Sequence, residues 1–219
     1  MAGPITLQTP SGPIGAWRAD PPGPPLGALV VVQEIFGVNP HIRRVVEKFA
    51  GHGYRAIAPA LFDHIERDVA LDYDAAGVKR GRGLIAQVGF DRALQDIQAA
   101  AKAVGVDAPV GVVGYCWGGT AAFLSCTRLG LPAVSYYGGR TVPFLDEKPQ
   151  APLMLHFGQN DPLIPPADVQ KHREALPGAE FHVWPAGHGF NCDLRADYHA
   201  ESAALALQLT LDFFARHLR

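Results

Sequence analysis

The segment that decides the fold is residues 110–123, VGVVGYCWGGTAAF. Its apolar first half predicts a buried strand, Val110–Tyr115, and its Ala-rich end predicts a helix, Gly118–Leu129. The turn between them has the pattern G-x-Nuc-x-G, with Cys116 in the nucleophile position. Such a turn is so tight that side chains two residues to either side would clash, which explains both glycines. The turn also places the thiol at the positive end of a helix, which favours the thiolate.

Strands and helices alternate along the rest of the chain. Further strands are predicted at Ala28–Gln33, Tyr54–Ala58, Ala133–Tyr137, Leu153–Phe157 and Glu180–Trp184, and further helices at His41–His52, Phe90–Val104, Ala167–Ala175 and Asp197–His217. An early hairpin precedes the turn Pro21–Pro25, and residues 61–90 remain ambiguous. Strands separated by helices indicate a mostly parallel sheet with helices on both faces, and so a single α/β domain over residues 1–219. Ligands bind such sheets at the carboxyl ends of the strands.

Two residues at later strand ends complete a catalytic pattern. A thiol nucleophile needs a base, and the base needs a partner that fixes its tautomer. The strand Leu153–Phe157 leads into a loop that carries Asp161, and the strand Glu180–Trp184 leads into a loop where His188 stands between two glycines. The chain order nucleophile, acid, histidine predicts a triad of Cys116, Asp161 and His188. For Asp161 alone, an Asx turn is an equally good interpretation.

The remaining thiols and histidines are weaker candidates. Cys126 falls inside the helix after the turn, and Cys192 stands near the His188 loop. The alternative interpretation of Cys116 itself is a small, buried apolar residue. Two histidines within strands, His156 and His182, are expected to be packed or at an edge. Six others on helices or polar loops are expected to be solvated: His41, His52, His64, His172, His199 and His217.

A carboxylate follows the first core strand. Glu34 ends an otherwise apolar run, where burial is costly unless a neighbour uses the charge. One interpretation is an exposed glutamate where the strand meets solvent. The other places Glu34 close to Cys116, since this loop usually supplies one donor of an oxyanion hole. We assign the oxyanion hole to the backbone N–H groups of Ile35 and Trp117.

Four stretches together resemble the dienelactone hydrolase (carboxymethylenebutenolidase) family of the α/β-hydrolase superfamily. They are QEIFGVNP, GYCWGG, the Asp161 loop and AGHGFN, and the resemblance covers essentially the whole chain. It implies an α/β-hydrolase fold, a triad at Cys116, His188 and Asp161, and a role for Glu34 in generating the thiolate when substrate binds. The implied substrates are small unsaturated lactones that bear a carboxylate, as met in the degradation of chloroaromatic compounds.

Three further residues are candidates for substrate binding. In the family, one arginine shortly after the histidine binds the substrate carboxylate, whereas here the first arginine after His188 is Arg195. A second family arginine lies in the variable region, where this chain offers Arg80 or Arg82, and of these we take Arg82 as the candidate. Tyr137 matches a tyrosine that lines the family pocket, with a packed strand aromatic as the alternative.

Composition and charge exclude several other classes. A net charge of −2 gives no electrostatic reason to expect nucleic acid as a partner. No stretch approaches the roughly 18 apolar residues that suggest a membrane span, and the N-terminus lacks a signal-peptide pattern. The three cysteines form no CxxC pair, the glycines fit no phosphate loop, and the histidines lack metal-ligand spacing. We therefore expect a cytoplasmic monomer without metal or cofactor.

The sequence favours a hydrolase that cleaves a small ester or lactone, possibly an anionic one, through an acyl-enzyme on Cys116. A broader carboxylesterase or thioesterase of the same fold is the nearest alternative. A non-catalytic binding protein is disfavoured because nucleophile, acid and histidine are all present. A thiol redox or sensor protein would need a resolving cysteine, and Cys126 lies beyond the turn on the following helix.

Overall fold

A computed structural model describes residues 2–218 of the chain. These residues divide into two compact units, the first formed by residues 2–112 with Leu218 and the second by Val113–His217. Strand β5, Val110–Tyr115, begins in the first unit and ends in the second. The two units are separated by their internal contacts, which do not test whether they fold as one domain. The single domain expected from the sequence therefore stays a prediction.

The first unit contains a hairpin followed by a β-α-β segment. Its strands are β1 (Ala2–Thr9), β2 (Gly12–Ala19), β3 (Ala28–Val32) and β4 (Arg55–Pro59), and its helices are α1 (Pro40–Gly51) and α2 (Ala75–Val104). The hydrogen-bonded order is β1-β2-β4-β3, with β2 antiparallel to both neighbours and β3 parallel to β4. All five residues of β3 are buried, as its continuous apolar run predicts.

The second unit repeats the alternation. It contains α3 (Trp117–Leu129), β6 (Ala133–Tyr136), a short 3-10 helix (Val142–Phe144), β7 (Leu153–Gly158), α4 (Pro166–Ala175), β8 (Glu180–Trp184) and α5 (Ala200–His217). The strand order here is β5-β6-β7-β8, and β7 is parallel to both of its neighbours. Strands β6, β7 and β8 end at the same edge, so the loops after β7 and β8 can present side chains to one another.

Helix α2 is the main departure from the expected elements. It begins at Ala75, inside the ambiguous region, and Oδ1 of Asp74 caps it by accepting the Gly77 N–H at 2.7 Å. Gly89 has a φ of 65°, which kinks the helix one residue before the predicted start at Phe90. The sequence pattern therefore found only the half of α2 that follows the kink.

Among residues 2–218, no helix is long and apolar enough to cross a membrane.

Candidate active site

Cys116 lies at the sharp turn between β5 and α3, as the sequence predicts. Its φ of 55° and ψ of −118° are strained for a residue with a side chain. The Cys116 N–H donates to the carbonyl of Tyr136 at 2.9 Å, and the Gly119 N–H donates to the carbonyl of Cys116 at 2.9 Å. Backbone bonds on both sides therefore hold the strained turn in place.

Gly114 permits this turn because the chain passes directly over it. A Cβ at Gly114 would lie 1.8 Å from the carbonyl oxygen of Gly118, far inside van der Waals contact. A Cβ at Gly119, one residue further, would lie 2.6 Å from the Tyr136 carbonyl oxygen. Gly114 thus permits a close approach of backbone segments, as the sequence predicts, and Gly119, outside the motif, permits a second one. The steric role of Gly118 stays a prediction.

The structure brings the three residues of the predicted triad together within the second unit. Nε2 of His188 lies 3.2 Å from Sγ of Cys116, and Nδ1 of His188 lies 2.7 Å from Oδ2 of Asp161. His188 and Asp161 are buried, whereas Cys116 is partly exposed. A buried pair behind an accessible thiol is the arrangement that a nucleophile, a base and an orienting acid require.

The loops that carry Asp161 and His188 are fastened to one another and to α5. The Asn160 N–H donates to the carbonyl of Ala186 at 3.0 Å, two residues before His188. The His199 N–H donates to the carbonyl of Phe190 at 3.0 Å, two residues after it. The histidine is therefore held between two backbone hydrogen bonds, rather than on a loose loop.

The surroundings of His188 raise its pKa. Burial alone lowers the pKa, but the hydrogen bonds to Asp161 and Cys116, together with the charges of both groups, outweigh burial and raise it to about 10. His188 is therefore protonated at neutral pH. A protonated imidazole has an N–H on each nitrogen, so it donates to the carboxylate on one side and to the sulfur on the other.

Aromatic rings enclose the imidazole. The Tyr137 ring is fully buried and meets His188 edge-on, with centroids 5.2 Å apart. Tyr137 also has a positive φ of 41°, and its ring lies 5.4 Å from that of Phe190. Tyr137, a candidate for substrate binding, thus contacts the histidine. Phe190 is not among the residues predicted from the sequence, although its position two residues after His188 was a usable signal.

Arg195 lies beside the residue that follows His188. A Cβ at Gly189 would come within 2.7 Å of both Nε and Cζ of Arg195, so the guanidinium packs on the glycine backbone. Gly189 also has a φ of 82°, which favours glycine. The chain therefore places a cation beside the residue that follows His188, from a position seven residues after the histidine.

Three other predicted site residues, Glu34, Ile35 and Arg82, belong to the first unit. Glu34 is fully buried, so the expectation of a solvent-exposed glutamate is wrong. It accepts a hydrogen bond from the Tyr73 hydroxyl at 2.8 Å, a partner that the sequence did not suggest. Ile35 is buried, and Arg82 is exposed on α2. Trp117, in the second unit, is the first residue of α3, and its pairing with Ile35 in an oxyanion hole stays a prediction.

The other thiols and histidines show which expectations fail. Cys126 and Cys192 are both buried, and Sγ of Cys126 contacts the Ala151 carbonyl at 3.1 Å. The prediction of solvated histidines is wrong for His41 and His172, which are buried. It is also wrong for His64, whose side chain is 8% exposed and contacts the buried Asp96 at 3.0 Å. Their helices and loops are covered by tertiary contacts that a local pattern does not report.

Comparisons with known proteins identify the family of the chain. A family model described as "Dienelactone hydrolase family" matches residues 14–218. The chain is 32% identical over 224 residues to a carboxymethylenebutenolidase of Pseudomonas putida, covering 96% of this chain and 95% of that enzyme. A crystal structure from Klebsiella pneumoniae, whose protein carries a provisional dienelactone hydrolase name, is 31% identical with a TM-score of 0.89 over 99% of both chains.

A more distant structure shares the fold alone. An esterase of Pyrococcus furiosus superposes with a TM-score of 0.71 at 15% identity, covering all of this chain and 92% of that one. Together these matches confirm the predicted α/β-hydrolase fold.

Proposed function

The chain belongs to the dienelactone hydrolase family, and from that premise we propose that it cleaves a small ester or lactone through an acyl-enzyme on Cys116. The observation that carries the proposal is the contact of Nε2 of His188 with Sγ of Cys116 at 3.2 Å, while Nδ1 faces Asp161 at 2.7 Å. Nucleophile, proton carrier and orienting acid stand in hydrogen-bonded order.

The first half-reaction forms the acyl-enzyme. The Cys116 sulfur attacks the carbonyl carbon, and the electron pair of the C=O bond moves onto oxygen. The backbone N–H of Trp117, at the start of α3, is one donor for that oxyanion, and Ile35 is carried over from the sequence as the second. The tetrahedral species then expels the leaving oxygen, which takes the proton from Nε2 of His188. In a lactone this alcohol stays attached to the acyl group.

The second half-reaction frees the enzyme. Neutral His188 takes a proton from water, and the resulting hydroxide attacks the thioester carbon. Collapse of this second tetrahedral species breaks the C–S bond and leaves the thiolate beside a protonated imidazole. Asp161 holds the imidazole so that Nε2 faces the sulfur throughout. The raised pKa of His188 favours the protonated imidazole that this step leaves.

Two charged groups are assigned roles around this chemistry. Glu34 helps generate the thiolate when substrate binds, as the family resemblance implies. Arg195 is the candidate that binds a substrate carboxylate, since its guanidinium packs beside Gly189. Arg82 stays a second candidate, and Tyr137 shapes the pocket through its contact with His188.

A broader carboxylesterase is the second candidate function. The four residues after His188 include no arginine, so the carboxylate-binding feature of the family is rearranged in this chain. An enzyme of this kind accepts uncharged esters as well. A thiol sensor is less well supported, because both Cys126 and Cys192 are fully buried.

One set of variants tests the proposal. The wild type, Cys116→Ala and the matched control Cys126→Ala are assayed on a dienelactone and on p-nitrophenyl acetate, and the acyl-enzyme is sought by mass spectrometry of the intact protein. We expect Cys116→Ala to lower kcat by at least about 10³-fold, with Cys126→Ala near the wild type. Hydrolysis of the aryl ester alone favours the broader esterase. Full activity of Cys116→Ala excludes the proposed nucleophile.

A further inference from the structure

We propose that Tyr73 is a positioning residue, whose hydroxyl holds the Glu34 carboxylate in its working orientation, and that Asn39 sets the direction of this hydrogen bond. The inference rests on the proposed function of Glu34 as the group that helps generate the thiolate. All three side chains belong to the first unit.

The direction of the chain of hydrogen bonds follows from donor and acceptor chemistry. Oδ1 of Asn39 accepts the Ile42 N–H at 3.2 Å, because Asn39 caps helix α1. The amide NH₂ of the same side chain must therefore face the other way, where it donates to the Tyr73 hydroxyl oxygen at 3.0 Å. A tyrosine hydroxyl has one hydrogen. With its oxygen accepting from Asn39, Tyr73 directs that hydrogen to Oε2 of Glu34 at 2.8 Å.

Because Glu34 is buried, loss of the hydrogen bond from Tyr73 would leave its carboxylate without an equivalent donor from bulk water. Glu34 and Asn39 are both buried, so bulk water is a poor substitute for the hydroxyl. A buried carboxylate that loses a donor keeps most of its desolvation cost. Glu34 lies two residues after the end of β3, whereas Tyr73 lies 39 residues further along the chain, just before the cap of α2. The bond therefore ties a residue at the strand end to the entry of the next helix.

Packing fixes the tyrosine ring independently of its hydroxyl. The Tyr73 ring lies 4.4 Å from the Phe36 ring, centroid to centroid. A Phe at position 73 keeps this contact and removes only the hydroxyl. The carboxylate of Glu34 would then lose this hydrogen bond, and its orientation towards any reacting group would change. A displacement of about 1 Å is enough to slow a positioned reaction by up to about 100-fold.

The experiment is a double-mutant cycle on the intact protein, with Tyr73→Phe, Glu34→Gln and the double variant. The matched control is Tyr54→Phe, which removes a hydroxyl from a buried tyrosine just before β4 in the same unit. Each protein is assayed for kcat and KM on p-nitrophenyl acetate, for the rate at which iodoacetamide alkylates Cys116, and for thermal unfolding. The alkylation assay reports on the thiol without any substrate turnover.

We expect Tyr73→Phe to lower kcat about 10-fold with KM nearly unchanged. Alkylation of Cys116 in the free enzyme stays near the wild-type rate, because Glu34 acts on the thiol only when substrate is bound. Because Tyr73 acts through Glu34, the same substitution changes kcat by less than about twofold in the Glu34→Gln background. Asn39→Ser keeps an oxygen for the helix cap but removes the amide donor, so it lowers kcat in the same direction. Tyr54→Phe leaves kcat unchanged.

The outcomes separate this inference from the proposed function. A Tyr73→Phe enzyme with wild-type kcat, or one whose loss persists in full in the Glu34→Gln background, overturns the positioning role alone. If Glu34→Gln has wild-type activity, Glu34 has no role in the reaction, and the positioning role of Tyr73 is refuted as well. Full activity of Cys116→Ala would instead refute Cys116 as the nucleophile, and this variant is tested separately.

Discussion

The backbone N–H of Leu163 donates to Oδ1 of Asp161 at 2.8 Å, and thereby orients the carboxylate whose other oxygen faces His188 at 2.7 Å. The sequence left two interpretations of Asp161 open, an Asx turn and an orienting acid. The geometry shows that the two are compatible, since each uses a different oxygen of the same side chain. The Asx turn orients the Asp161 side chain so that Oδ2 faces the His188 imidazole.

Because the two carboxylate oxygens of Asp161 bind different partners, the substitution Asp161→Asn is informative. Its Oδ1 can still accept from Leu163, so the turn and the fold are retained. Its NH₂ group then faces Nδ1 of His188 and favours the tautomer that carries hydrogen on Nε2, which cannot take a proton at the substrate side. We expect kcat to fall by about 10³- to 10⁴-fold, as in the analogous change in serine proteases. Steady-state kinetics and thermal unfolding measure both parts of this expectation.

The control for this substitution is Asp168→Asn, which removes a carboxylate that pairs with Lys171 on α4. We expect wild-type kcat for the control. An Asp161→Asn enzyme with kcat within about tenfold of the wild type would exclude the orienting role.

Local patterns predicted the parts of the fold that local chemistry determines. The apolar run of β3 and the strand-turn-helix at Cys116 are read directly from neighbouring residues, and the structure places them as expected. The first half of α2 was missed because its glycines lower helix propensity. Gly81 is there for a tertiary reason, since a Cβ would lie 2.1 Å from the carbonyl oxygen of Ile35.

The candidate site likewise contains residues that the sequence predicts and contacts that only the structure shows. Cys116, Asp161 and His188 were found because each follows a predicted strand, and strand ends are visible in the sequence. The bond between Tyr73 and Glu34 was not found, since it joins residues 39 positions apart with no shared periodicity. Burial of His41 and His172 likewise depends on which elements cover them. A local sequence pattern shows where a strand ends, but the hydrogen-bond partner of a residue at that end is known only from the folded structure.

The close approach at Gly114 predicts a severe effect of one methyl group. In Gly114→Ala the new Cβ would lie 1.8 Å from the Gly118 carbonyl oxygen, and backbone cannot move away cheaply. We expect a loss of more than about 3 kcal/mol in the free energy of unfolding, or an insoluble protein. The matched control is Gly83→Ala on α2, where a Cβ meets nothing within 4 Å. That variant gains about 0.5–1 kcal/mol from helix propensity. Urea denaturation compares the two, and equal stability would contradict the steric argument.

The pair of His64 and Asp96, both in the first unit, predicts an effect on stability. Burial raises the pKa of Asp96, and the hydrogen bond from His64 opposes that rise. Removing the imidazole in His64→Ala leaves a fully buried carboxyl group without that donor, so we expect a loss of about 3–5 kcal/mol in the free energy of unfolding.

A second substitution and a control complete the His64 test. Asp96→Asn combined with His64→Ala is expected to be less destabilised than His64→Ala alone, since no charge is then left buried. The control His52→Ala removes an exposed imidazole and changes stability by less than about 0.5 kcal/mol. Chemical denaturation measures all three, and equal losses for His64→Ala and His52→Ala would refute the argument.

The raised pKa of His188 predicts how both the titration and the stability depend on pH. In the folded protein, burial lowers the pKa, while the hydrogen bonds and charges of Asp161 and Cys116 together raise it from 6.5 to about 10. The stabilisation from this proton is complete below pH 6.5 and is lost as the pH rises towards 10.

Cys116→Ala removes one hydrogen bond and one charge, so NMR titration of the imidazole should give a lower pKa for His188 in that variant. Its free energy of unfolding should also decline less steeply between pH 6.5 and 10 than that of the wild type. A wild-type His188 that titrates near 6.5 would show that the imidazole is neutral at rest, and that Cys116 is not paired with a protonated partner.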